Sequence, residues 1–315
     1  MSKRILDLDN QYFITKLLQE ENITVIEEIL EKEIKKFERL KNLKEQGKLD
    51  FGEKFDLERI VEDIFPKVAK KVNEFLEVDN IKLPKVKYFS IIKPGLLESV
   101  FLALCFSCGF YIVSDINNLL KWKDSEYVLD LSIQVMSLYL LSKFYNNIKS
   151  SSYNKLEKKI TLEKEEYTKI VTVLAHEYTH HIQNNKLRDH FKKVMPTKYI
   201  AFLEGHARGV ERFIAKEYSE NENNYAFWYN VLDRVVGELK CVYKWLCINF
   251  EKEPKEILLN TETSIDERLD FRLKRHKKPS YHAIGNSLFL IYELKHGNDV
   301  YKKIIKGDLE FLESD

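Results

Sequence analysis

Apolar residues recur at three- and four-residue spacing over most of this chain, so helix is the element to expect first. Ile26, Ile29, Leu30, Ile34, Phe37 and Leu40 share one helical face up to Gly47, and Thr24 with Glu27 reads as a capping box at its start. A second helical stretch is expected from about Asp56 to about Glu77, bent or broken at Pro66. Between Ile81 and about Leu162 the period changes. KVKYFSII, GFYIVSD and KKITL look like strands, separated by helical runs such as VLDLSIQVMSLYLLSKFY. Beyond Glu163 the pattern is helical again, with helices expected over 163–185, 196–218, 224–249, 264–276 and 281–296. The expected fold class is therefore α+β, predominantly α. It has an N-terminal helical region over 1–80, then a domain over 81–315 whose mixed part ends near 162.

Composition narrows the partners. The 315 residues are 44% hydrophobic and 32% charged, which suits a folded globular protein. Fifty-one basic residues face fifty acidic ones, and a net charge of +1 offers no global attraction to nucleic acid or an anionic membrane. No nucleic-acid partner is expected. The charged faces of the first eighty residues read as solvated surface, as does the basic run Arg272, Lys274, Arg275, His276, Lys277 and Lys278 at a helix end. Residues 96–113 form the most apolar stretch, but Glu98 and Gly109 lie within it. It reads as a buried helix to about Cys108 followed by a strand, and no membrane span is expected. Residues 1–10 hold Lys3, Arg4, Asp7 and Asp9 and lack the apolar core of a signal peptide. With Cys105, Cys108, Cys241 and Cys247 read as free thiols, a cytoplasmic setting is expected.

The candidate chemistry sits in TKIVTVLAHEYTHHIQNN. His176 and His180 are four apart on a helical pattern, so both imidazoles can reach one ion. Glu177 then projects beside that ion, where it can take a proton from a water. A catalytic zinc needs a third protein ligand, and Glu204 lies on the next helical pattern, in YIAFLEGHARGVERF.

Here the chain resembles the gluzincins, the thermolysin-like and aminopeptidase-like zinc metallopeptidases. Their HExxH helix is followed by a second one often written E-G-x-A-x-x-x-E, which Glu204, Gly205, Ala207 and Glu211 match without a gap. The resemblance implies a zincin-like catalytic domain with Zn2+ on His176, His180 and Glu204. It implies hydrolysis of a peptide or protein substrate, with Glu177 as general base. Gly205 and Ala207 would let two helices approach closely. Glu211 either orients a ligand histidine or pairs with Arg208. His206, about 200° round the helix from Glu204, is not expected to bind the ion. His181 should point off the metal, near the helix surface.

The family places an edge strand for substrate just before the motif helix, and 152–162 is the matching stretch. It also places a tyrosine or histidine early in a late helix, where it stabilises the oxyanion. Ser280 reads as the N-cap there, with Tyr281 and His282 in the first turn and Gly285 after them; either side chain could serve. No Gly-x-Met-Glu-Asn motif is present, which points toward an endopeptidase. Two alternatives share the motif. One is a silent scaffold on the same fold; the other is a regulatory protease whose N-terminal helices cover the cleft or recruit one protein partner.

Overall fold

The computed structural model describes residues 9–79, 81–88, 151–154, 158–163, 165–187, 196–309 and 312. Helix dominates. In chain order the elements are α1 (Asn10–Leu17), α2 (Glu21–Glu45), α3 (Phe65–Leu76), β1 (Lys85–Tyr88), β2 (Ser152–Asn154) and β3 (Lys159–Leu162). They continue with α4 (Tyr167–Lys186), α5 (Ile200–Asn221), α6 (Ala226–Asn249), α7 (Asp266–His276), α8 (Tyr281–His296) and α9 (Asp299–Lys306). The class is α+β, predominantly α. The strand expected at GFYIVSD, the helix expected at VLDLSIQVMSLYLLSKFY, the apolar run 96–113, Cys105 and Cys108 all lie outside the described residues.

The chain divides into two compact units. One comprises Met1–Val86, Tyr153–Ile160 and Lys164–Asp315; the other comprises Lys87–Ser152 and Thr161–Glu163. All of the described helices belong to the first. Residues 1–80 thus fall in the same unit as residues 164–315. In that unit α2 packs along α6, α3 along α4, and α1 against α5 and α8. The charged composition of 1–80 hid a continuous buried face, which includes Phe13, Ile26, Leu30, Phe37, Val68 and Val72. The Phe13 ring meets Phe202 edge-on at 6.0 Å and stacks on Phe289 at 6.1 Å. Removing 1–80 would dismantle this core rather than uncover a site.

Local chemistry explains where elements start. Asp9 caps α1, its Oδ1 accepting from the Gln11 and Tyr12 N–H groups at 2.9 Å each. The expected capping box at Thr24 does not form, because α2 already begins at Glu21 and Thr24 lies inside it. Asn22 takes over the junction by donating to the Lys16 and Leu17 carbonyls at 2.9 and 3.2 Å, which closes the end of α1. Before α3 the chain is helical over Leu57–Arg59 and widens into a π-turn over Ile60–Ile64. Pro66 follows just after this widened turn, near the start of α3. α4 starts at Tyr167, later than expected. The Tyr167 and Thr168 N–H groups donate to the Glu53 and Phe51 carbonyls at 3.1 and 3.3 Å, so another segment supplies the partners its first turn needs.

The sheet order is β1-β3-β2. β3 is thus central and paired on both sides, so 159–162 offers no free edge of the kind expected for substrate; among the described residues β1 and β2 stand at the two edges.

Two glycines bring α5 and α8 together. A Cβ at Gly285 would lie 1.9 Å from the Ala201 carbonyl oxygen, and one at Gly205 would lie 2.6 Å from the Gly285 carbonyl oxygen. The obstacle at Gly285 is main chain, which cannot rotate away. Gly285→Ala is expected to destabilise the fold by at least about 3 kcal/mol, the upper end of the usual overpacking cost. A lowered urea midpoint would show it, and a wild-type midpoint would mean the two helices can slide apart freely.

Candidate metal centre

α4 presents His176 and His180 one turn apart, and α5 crosses it carrying Glu204. The Nε2 atoms of His176 and His180 are 3.1 Å apart. Glu204 Oε2 is 3.3 Å from His176 Nε2, and Oε1 is 3.3 Å from His180 Nε2. Donor atoms bound tetrahedrally at about 2.0–2.1 Å stand about 3.3–3.4 Å from one another; here the two nitrogens are near that separation and each faces one oxygen of the Glu204 carboxylate. The spacing therefore fits a single small ion. Among the described residues this is the one such group of His, Cys, Asp and Glu donors.

The electrostatics call for a cation. Burial works against charge on Glu204, but His180 and His176 outweigh it and hold the carboxyl well below its usual range. Burial and the Arg208 charge oppose a proton on His176, yet Glu204 and Glu211 raise it to about 9. The ring thus holds a positive charge that a metal would replace, with release of the proton. Glu177 is buried beside the ligands, and burial pushes its carboxyl up, against the opposing pull of His176 and His180. A raised carboxyl suits a group that must first take a proton and then give it back.

The two oxyanion candidates separate. His282 Nε2 lies 3.5 Å from Glu204 Oε2, with a side chain 44% exposed, so it stands at the rim of the ligand cluster. Tyr281 turns to Lys278, whose Nζ is 3.2 Å from its hydroxyl. Ser280 caps α8 as expected, its Oγ accepting from the Ala283 N–H at 3.1 Å. Comparisons with family models, with curated proteins and with solved structures find no match. The reading of this centre therefore stands on its geometry.

Glu211 pairs with Arg208, one of its two expected partners, and also stands close to His176. Its Oε2 lies 3.2 Å from His176 Nδ1, at ion-pair distance though off the line of a hydrogen bond, and accepts from Arg208 Nη1 at 3.0 Å. A further cation, Arg234 on α6, lies 2.7 Å from the same oxygen. Arg234 carries no spacing signal in the sequence, because it reaches the site from a third helix. Cys241 and Cys247 are buried and free, and burial pushes both thiols up.

His181 differs from its expectation. It stands outside the His176–His180–Glu204 group but is buried rather than near the surface. Its Nδ1 meets the Tyr153 hydroxyl at 2.8 Å, and its Nε2 meets the Lys82 carbonyl at 2.8 Å. Those partners come from segments far away in the chain, so helical spacing alone could not reveal them.

His206 is fully buried away from the ligand cluster, and burial lowers its pKa to about 4. The unfolded chain takes up this proton near pH 6.5 and the folded chain only near 4. Stability therefore rises with pH across that window and is lost as pH falls through it. The full loss is about 3 kcal/mol. His206→Asn is expected to remove this share of the pH dependence, read as a smaller change in urea midpoint between pH 7 and pH 4.5. An unchanged difference would mean that His206 is free to protonate in the folded state.

Proposed function

We propose that this chain is a zinc-dependent peptidase of the gluzincin type, with a zincin-like catalytic region built on α4 and α5. The observation that carries the reading is the convergence of His176, His180 and Glu204 at 3.1–3.3 Å, with Glu177 buried beside them. Two imidazoles and one carboxylate are a borderline donor set that suits zinc, and three protein ligands leave a position open for catalysis. A zinc ion held there supplies Lewis acidity toward a water and toward a substrate carbonyl.

The chain's own residues do the rest. Glu177 takes a proton from the attacking water and carries it to the leaving amine. His282, at the rim, donates to the oxygen that becomes negative as the carbonyl is attacked. Glu211, itself paired with Arg208 and Arg234, holds a negative charge against His176 from behind and limits its movement. No covalent intermediate is required, so no serine or cysteine nucleophile takes part.

The test is metal content together with cleavage of a broad peptide library by the purified full chain. The expected result is close to one zinc per chain, with cleavage lost on chelation and restored by zinc. Zinc bound without any cleavage would leave a metal-binding scaffold. A folded protein that takes up no zinc would end the proposal.

A further inference from the structure

Behind His180 runs a line of buried side chains that the hydrolytic reading does not use. His180 Nδ1 is 2.8 Å from Gln183 Oε1. Gln183 Nε2 donates to the Leu203 carbonyl at 2.9 Å and lies 3.0 Å from His206 Nδ1. His206 Nε2 is 3.0 Å from the Tyr301 carbonyl on α9. Gln183 and His206 are both buried, His206 completely.

The direction of each proton follows from two main-chain oxygens that can only accept. The Tyr301 carbonyl requires the proton of His206 on Nε2, which leaves Nδ1 as an acceptor. The Leu203 carbonyl and that Nδ1 then both require the NH2 end of Gln183. An amide turned the other way would set its oxygen against the Leu203 carbonyl, two acceptors face to face in a buried place. Gln183 must therefore show its oxygen to His180, and His180 must answer with a proton on Nδ1. Its Nε2 is left to face Glu204 and His176.

We propose that Gln183 is a positioning residue that locks His180 into its Nδ1–H tautomer, with the lock anchored through His206 to the backbone of α9. The two histidines of the motif are thus supported by different means: His176 by a charged carboxylate, His180 by a neutral amide whose orientation is fixed. The neutral partner steers the ring without adding negative charge to the centre. The role in metal binding rests on the proposal that His176, His180 and Glu204 hold an ion; the tautomer does not.

Two readouts on the full chain test this separately. Long-range 1H–15N NMR of the metal-free protein is expected to show His180 protonated on Nδ1 and His206 on Nε2. In Gln183→Met the preference of His180 should be lost. A wild-type His180 with no proton on Nδ1 would overturn the proposal. The second readout is Co2+ affinity, followed by the visible absorption of the bound ion. Gln183→Met is expected to weaken it by about 10–100-fold, the usual effect of removing a ligand's supporting partner. Gln183→Glu keeps an acceptor for His180 but loses the donor to Leu203 and His206. It should lower the melting temperature while holding Co2+ at least tenfold more tightly than Gln183→Met. If both variants lose Co2+ in step with their loss of stability, Gln183 is only a packing residue and the proposal fails. A folded wild type with the stated tautomers that binds no Co2+ would sink the metal reading and leave the lock standing.

Discussion

Glu177→Gln is expected to lower peptide cleavage by about 100- to 10,000-fold, the range attributed to a single positioned acid or base, while zinc content stays at the wild-type level. The two halves of this result have different origins. Gln keeps the volume and most of the polarity of Glu177, so the buried position beside His176 and His180 is filled as before. It has no basic carboxylate, so it can neither accept a proton from water nor return one to the amine. Zinc content should hold because Glu177 is not one of the three residues whose donor atoms converge. The pKa direction sharpens the expectation. Burial raises the Glu177 carboxyl, and replacing it with a neutral amide removes a buried charge, so the variant should be at least as stable as the wild type. Cleavage and zinc measured on one preparation decide the case. Undiminished cleavage would remove Glu177 from the mechanism, and a matching loss of zinc would make it a ligand instead.

How much of this centre was legible in the sequence depends on how local each relation is. His176, Glu177 and His180 lie within one turn and a half of a single helix, and helical spacing fixes their relative placement. Glu204 required a second helix, and Gly205, expected to let the helices approach around the ion, instead meets Gly285 of α8. Gln183 lies three residues after His180, on the same face, so its contact could have been read from spacing. Arg234 and the Tyr301 carbonyl could not, because they arrive from helices with their own separate periods. The charged N-terminal helices misled for a related reason. Composition averages over a helix, whereas burial follows one face of it, and α2 buries Ile26, Leu30 and Phe37 beneath an exposed Lys–Glu surface.

Glu204→Ala should abolish stable metal binding, with zinc affinity falling by more than about 100-fold, beyond what loss of a supporting partner costs. Two imidazoles would remain, with no anion among the donors. Glu204 also supplies part of the attraction that raises His176 to about 9. Without it, burial and the nearby Arg208 charge face only Glu211 as counterweight, so any cation, proton or metal, is held less well. The fold should survive, since Arg208 keeps Glu211 as its partner at 3.0 Å and Gly205 still seats α5 against α8. A comparison with Glu204→Gln isolates charge from shape: the amide retains an oxygen donor in the same place but no negative charge. Zinc affinity is expected to be poor in both variants and lower in Glu204→Ala. Far-ultraviolet circular dichroism should be unchanged in each. Full zinc occupancy in Glu204→Ala would mean that the third ligand lies elsewhere. His282 would then be the first residue to examine, its Nε2 being 3.5 Å from the Glu204 carboxylate.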